Sequence, residues 1–426
     1  MELCLRAEAE GGLSRGEIEN GLLRLLNARP AAKVLIIPPD YTRFHSNAGF
    51  LTNFCFHYYT DKGARVDILP ALGTHVPISP GEAADMYGDI PYTAFLTHNW
   101  RTDVERLGEV SGQRMAAITE GIWTEPIAVE INRLVTGGGY DLILSVGQVV
   151  PHEVIGMSNH GKNLFVGVGG ADMINKSHMV GAVYGMERMM GRDHTPVREI
   201  FDYALGKYLN HLPILFLLTV TTAAGREIFT HGLFAGAERD ALEAAIQLSQ
   251  QKNIDFVERG IPKCVVYLDP QEYKSTWLGN KSVYRSRMAI ADGGELIVLA
   301  PGVERFGEDE QVDGLIRKYG YRGREEILAL FRDPAHEDLR ANMGAAAHLI
   351  HGSSDGRFTV TYAVAPAFRR PIESAHFKSA DYTATASRYD PGKLRYGYNT
   401  LKDGEEIYFI PNPALGLWIN REKFIN

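Results

Sequence analysis

Cysteine is scarce in this sequence. Cys4, Cys55 and Cys264 are the only three in 426 residues, and no two form a C-x-x-C pair. That excludes a disulfide framework and a thiolate metal site, and it fits a reducing compartment. Positive charge is short as well. Lys and Arg number 44 against 52 Asp and Glu, a net charge of −8, which argues against the basic face of a nucleic-acid binder. Long apolar runs are missing. The most apolar stretch, LPILFLLTV at Leu212–Val220, is too short to span a bilayer and reads as a buried strand. The opening MELCLRAEAEGGLS lacks the basic start and apolar core of a secretory leader, so a cytoplasmic protein without membrane partners is expected. Low-complexity tracts and internal repeats are absent too. So are three motifs: the P-loop G-x-x-x-x-G-K-[ST], a G-x-G-x-x-G after the first strand, and H-E-x-x-H. Their absence counts against a P-loop NTPase, a standard dinucleotide fold and a zinc hydrolase.

What is present is an α/β pattern. AKVLIIPPD ends at Asp40, ARVDILPALGTH at His75 and YDLILSVGQVVPH at His152, each an apolar run closed by turn residues. Helix-like segments alternate with them, such as Gly49–Asp61 and the amphipathic Glu238–Gln251. The fold class expected is α/β: two α/β domains with mostly parallel sheets and an interdomain active-site cleft. Composition turns polar near Gly260, which sets the boundary. A cofactor-binding and catalytic domain is expected over 1–258, and a second α/β domain over 261–403 that closes over the substrate. KCVVYLDP and GELIVLAPG supply the second domain's strands and EEILALFRD a helix. The closing segment, 405–426, is expected to return to the first domain.

Ligands of parallel sheets bind beyond the carboxyl ends of the strands. Asp40, Arg43, His75 and His152 all fall there, which makes them candidates together. Each also has a plainer reading: an imidazole capping a loop, or a DYTR turn in which Asp40 caps and Arg43 pairs with it. Between Gly156 and Met179 runs GMSNHGKNLFVGVGGADMINKSHM, with Lys162 after Gly161 and before Gly167, Gly169 and Gly170. Glycines let a backbone approach a ligand closely. A lysine amine there either binds phosphate or, when neutral, acts as a nucleophile and covalent anchor. His178 has no His or acidic partner at helical zinc spacing, so as a metal ligand it needs a cofactor to supply the rest.

In order and spacing these motifs resemble the lactate racemase family, nickel-dependent racemases and epimerases of 2-hydroxy acids. The resemblance rests on D-x-T-R (Asp40, Thr42, Arg43), G-T-H (Gly73–His75), P-H-E-x-x-G (Pro151–Gly156), Lys162 and His178. It implies an isomerase acting on a small 2-hydroxy acid. It also implies a nickel-pincer nucleotide (pyridinium-3,5-bisthiocarboxylic acid mononucleotide nickel), made by cofactor-synthesis proteins and joined to Lys162. Asp40, Thr42, Arg43, Gly167 and Gly169 would help bind this cofactor, and His178 would ligate Ni. His75 and His152 would be paired acid/bases, since imidazole titrates nearest neutral pH.

The family's tyrosine-glutamine-x-x-lysine element has TWLGNK as its nearest match. It implies substrate contacts from Trp277 and from Lys281, which would hold the carboxylate, with Arg43 as a further substrate-binding residue. Trp277 and Leu278 depart from that element, no Trp stands near Met343, and Asn159-His160 replace a common Gly-Gly pair. These departures leave the hydroxy acid open. His160 reads as an exposed loop residue or a new substrate contact. The competing readings are a member of the same fold with another ligand, an NAD-dependent hydroxy acid dehydrogenase and a non-catalytic binding protein.

Overall fold

A computed structural model of the chain describes residues Met1–Phe424. It divides into two compact units. One is Met1–Val180 with Met190–Asn253, and the other is Gly181–Met189 with the residues from Ile254 onward.

The first unit is built on a six-stranded sheet. In spatial order its strands are Leu3–Arg6, Glu227–Gly236, Ile214–Ala224, Leu142–Gln148, Lys33–Ile37 and Arg65–Ile68. The last four run parallel, and the first two join antiparallel. The three apolar runs that end at Asp40, His75 and His152 therefore lie side by side in one direction. All three place their carboxyl ends at the same edge.

Side-chain alternation supplies two apolar faces. On one, Leu215, Leu217, Leu233 and Ala235 join a core with Leu22 and Leu26 of the helix Arg15–Asn27 and with Leu51 and Cys55 of the helix Ala48–Thr60. Ser14 caps the first of these helices in a reciprocal capping box with Glu17. The helix Arg239–Asn253 packs on the same hairpin and buries Leu242, Ala245 and Ile246. The run Leu212–Val220 is a buried strand as read, and it extends to Ala224.

The second unit also has a six-stranded sheet, ordered Lys378–Asp381, Thr359–Val364, Ile290–Leu299, Ile261–Tyr267, Glu406–Ile410 and Gly397–Thr400. Only the last pair is antiparallel. The segment Gly181–Met189 is tied into this unit through Glu187, which accepts 2.8 Å bonds from Arg287 and Arg357. The closing segment, 405–426, is expected to return to the first domain; its described strands lie in the second unit, which also takes in residues 254–258 that the sequence assigned to the first. Glu406–Ile410 pairs with Ile261–Tyr267, and Trp418–Asn420 pairs with Asp255–Val257, both parallel and both within the second unit. Its apolar residues fill a vacant sheet edge beside Cys264–Val266, a pairing no local pattern announces. Among the described residues no helix is long and apolar enough to cross a membrane.

Candidate active site

A cavity of about 240 Å³ opens at the carboxyl ends of three parallel strands of the first unit. After Lys33–Ile37 come Pro39, Asp40 and Arg43. Ala71 to His75 follow Arg65–Ile68, and Gln148, Val150, His152 and Glu153 follow Leu142–Gln148. Ser158, Asn159, Lys162, Asn163, Gly167, Ile174 and His178 complete the lining. Every lining residue belongs to this one unit.

On one wall His75 is open to water, with Asp40 buried behind it. The His75 side chain is 56% exposed, and its Nδ1 contacts Asp40 Oδ2. Asp40 also accepts from the Thr42 hydroxyl. The plain-turn reading of DYTR therefore fails: Asp40 makes no side-chain cap, and its partner is His75 rather than Arg43. Burial pushes the Asp40 carboxyl upward, but the bonds from His75 and Thr42 and the charges of His75 and Arg43 outweigh it, leaving the group below its ordinary value. With Nδ1–H given to a carboxylate, Nε2 of a neutral His75 is a free base. Gly73 makes the tight turn before it at φ +57°, and its N–H bonds Gly167 O at 2.8 Å.

The opposite wall is buried. His152 is 7% exposed, and its Nδ1 accepts the Val154 N–H at 3.1 Å. In that arrangement the neutral ring carries its proton on Nε2. Burial holds its pKa well below the usual 6.5; Glu153 opposes, while Lys162, Arg43 and His178 add to the shift. The Lys162 amine has no hydrogen-bond or ion-pair partner among the described residues. Burial first, then Arg43 and Arg198, bring it down to about 8 against the pull of Glu153 and Asp40. His178 sits on the helix Ala171–Tyr184 and donates from Nδ1 to Ile174 O at 2.6 Å. That fixes the tautomer and leaves Nε2 as an open donor to a metal. Burial lowers its pKa too, helped by Lys162.

The loop that presents Lys162 is held from several sides. Ser158 Oγ donates to Gln148 O at 2.7 Å and accepts from Val150 N at 3.0 Å. The buried Arg198 donates to Met157 O at 2.6 Å and Asn159 O at 3.2 Å. Asn159 and His160 are both left-handed, at φ +70° and +58°. That backbone disfavours non-glycine residues by roughly 1–2 kcal/mol each, less for Asn. The chain then turns through one π-helical stretch, Asn163–Gly167, whose Asn163 amide donates to Ile37 O and Ser145 Oγ at 3.0 Å each. Such π segments are frequent at functional sites.

Not every residue singled out in the sequence reaches the cavity. Gly167 lines it, and an added Cβ there would stand 2.5 Å from Ala71 Cβ. Thr42 acts behind Asp40. Gly169 is a packing glycine, where a Cβ would meet Phe165 O at 1.8 Å; its carbonyl accepts from His98 Nε2 at 3.0 Å. His160 is neither exposed nor in the lining: it is 3% exposed and stacks on Phe216, ring centroids 3.9 Å apart. Trp277 and Lys281 lie in the second unit, where Trp277 stacks on His348 with centroids 4.1 Å apart and Lys281 begins a short helix. Gln148, Ser158 and Asn163 carry no motif of their own, and Glu153 enters only as the acid of P-H-E-x-x-G without a role. Asn163 follows Lys162, and that adjacency is the available signal.

Among the described residues no group of three or more His, Cys, Asp or Glu could hold a metal. A metal at His178 therefore needs donors from elsewhere. The half-buried amine with its pKa brought down to about 8, the open imidazole and a cavity beside both fit a group tethered at Lys162 that brings its own metal ligands.

Residues 20–190 match the family model described as the lactate racemase N-terminal domain. Among solved structures, a crystal structure of a protein from Thermotoga maritima is similar at 22% identity and TM-score 0.77, covering 97% of this chain and 99% of that one. The lactate racemase apoprotein from Thermoanaerobacterium thermosaccharolyticum is similar at 16% identity and TM-score 0.68, covering 96% and 89%. These two likenesses establish the shared fold. No curated protein matches the chain.

Proposed function

From the premise that residues 20–190 form a lactate racemase N-terminal domain, we propose that the chain is a racemase or epimerase of a 2-hydroxy acid. The observation that carries this reading is the convergence of Lys162, His178, His75, His152 and Arg43 on one cavity. The residues suit a nickel-pincer nucleotide, with Lys162 as the covalent anchor and His178 Nε2 as the protein's nickel ligand. When bound, that group supplies an acceptor for the substrate's α-hydrogen as hydride.

The chain's own residues do the rest. Arg43, which has no ion-pair partner among the described residues, binds an anion: the substrate carboxylate or the cofactor phosphate. His75, held through Nδ1 by Asp40, takes the hydroxyl proton at Nε2 as the α-carbon becomes planar. Inversion requires a proton carrier for each enantiomer, and His152 is the second. Its neutral tautomer presents Nε2–H, so in one direction it starts as a hydrogen-bond donor to the substrate oxygen. An anionic substrate beside it would raise its pKa toward the working range. The substrate contacts from Trp277 and Lys281 rest on the resemblance alone, and the hydroxy acid stays unnamed.

Expression together with the cofactor-synthesis proteins tests this. We expect a covalent adduct on Lys162 by intact mass, nickel by elemental analysis, and interconversion of enantiomers for one member of a panel of 2-hydroxy acids. An adduct-bearing, nickel-loaded chain that racemises none of the panel would overturn the reading.

A further inference from the structure

Behind the Lys162 loop lies a second cavity of about 230 Å³, also wholly within the first unit. It is separate from the first, and the chain divides its side chains between them: Asn159 lines one and His160 the other. Leu205, Leu209, Leu212, Ile214 and Phe216 make its walls apolar. A second π-helical stretch, Leu205–Leu209, forms part of them.

The polar end of this cavity is unsatisfied. His160 is 97% buried by its 3% exposure, yet neither ring nitrogen has a hydrogen-bond partner, and Asp202 Oδ1 has none either. His160 Nδ1 and Asp202 Oδ1 stand 4.0 Å apart, too far for a direct bond. Buried polar atoms are nearly always paired in native proteins, so three together call for a partner.

Charge selects the partner's kind. The one cation in the lining, Arg239, already serves Asp193, Asp202 and Glu243. Glu238, exposed at the rim, and Asp202 leave the lining acidic. Burial outweighs the neighbouring guanidinium groups and raises Asp202 above its ordinary value. The imidazole is held neutral, first by burial and then by Arg198 and Arg239, so it adds no positive charge.

We propose that this cavity is a binding site for a small organic cation, an ammonium group on a short apolar body, whose N–H groups donate to Asp202 Oδ1 and to the acceptor nitrogen of His160 while the body lies against Leu205, Leu209 and Phe216. The site is independent of the chemistry assigned to the first cavity. It shares with that cavity only the backbone around Asn159–Lys162, so occupancy would bear on the loop that presents the lysine.

The test is titration of the intact chain with n-butylammonium, n-butyrate and n-butanol, read by calorimetry and by saturation-transfer NMR. We expect saturable binding of n-butylammonium and at least tenfold weaker binding of the other two. Asp202→Asn should weaken n-butylammonium at least tenfold. Gly206→Leu should weaken its binding at least tenfold, since Gly206 lines the cavity and has room there for a larger side chain. Gly206→Leu leaves the buried polar groups in place, so it keeps the test decisive if Asp202→Asn fails to fold. Lys162→Ala should retain binding, which separates this cavity from the first. Three results would overturn the proposal: no saturation by any probe, n-butyrate binding as well as n-butylammonium, or n-butylammonium binding lost with Lys162→Ala and kept in Gly206→Leu.

Discussion

The two walls of the main cavity carry the same side chain in opposite settings. His75 lies 56% exposed on a turn with a carboxylate on its Nδ1, whereas His152 lies 7% exposed with a backbone N–H on its Nδ1. The first setting frees Nε2 as a base. The second fixes a proton on Nε2 and resists charging the ring. Two residues that are interchangeable by type thus sit in different hydrogen-bond settings. The difference arises from what their neighbours donate or accept, together with burial.

The largest expected effect sharpens this contrast. His75→Ala and His152→Ala should each lower racemisation of the loaded enzyme by about 10²–10⁴-fold. Added imidazole should restore part of the His75→Ala activity, because that site opens to water, and none of the His152→Ala activity. Equal rescue of both would erase the distinction. Next in size is Asp40→Asn. Loss of a charge-assisted hydrogen bond of about 1.5–3 kcal/mol predicts a loss of roughly 10–100-fold in turnover, measurable against the intact His75 protein. An unchanged rate would mean Asp40 does not orient His75.

The buried wall also has a titration signature. Lys162 should react with an amine-selective acylating reagent with half-maximal rate near pH 8, followed by peptide mass spectrometry, because its neutral form prevails above about 8. A midpoint at the ordinary lysine value would place the amine in water.

The smallest effect is on stability. His152 and His178 have folded pKa values below the 6.5 of an unfolded histidine. Below pH 6.5 the unfolded chain therefore binds more protons than the folded one. Their contribution is fully present above pH 6.5 and is lost as pH falls beneath it. The melting temperature of the empty protein should drop from pH 7 to pH 5. His152→Phe should flatten that drop, whereas a slope untouched by the change would show that His152 is already solvated.

Much of the fold was legible. The strand–helix alternation and both sheets follow from apolar runs closed by turn residues, a local signal, whereas the division at Asn253 and the transfer of Gly181–Met189 to the second unit have no such local mark. The antiparallel pair Val104–Val110 with Ile127–Asn132 escapes the sequence reading: Val104–Val110 carries Glu105 and Arg106 on opposite faces, although Ile127–Asn132 alternates cleanly. Strand 406–410 was seen as a strand but assigned to the wrong sheet, since its partner lies far away in sequence. At the site, residue types and order pointed to Asp40, His75, His152, Lys162 and His178. The reading of His160 as exposed failed because Phe216, which covers it, comes from a strand more than fifty residues later.

The sequence by itself determined which chemical groups stand at the ends of which strands, because strand length, turn residues and their spacing are local properties of the chain. Only the tertiary structure decided what each group is paired with and how wet it is. The Asp40–His75 contact joins residues 35 apart, and the burial of His152 and His160 depends on packing against elements brought together from across the first unit. Those long-range contacts set what each imidazole can accept or donate, so His75 faces a carboxylate through Nδ1 while His152 accepts a backbone N–H there.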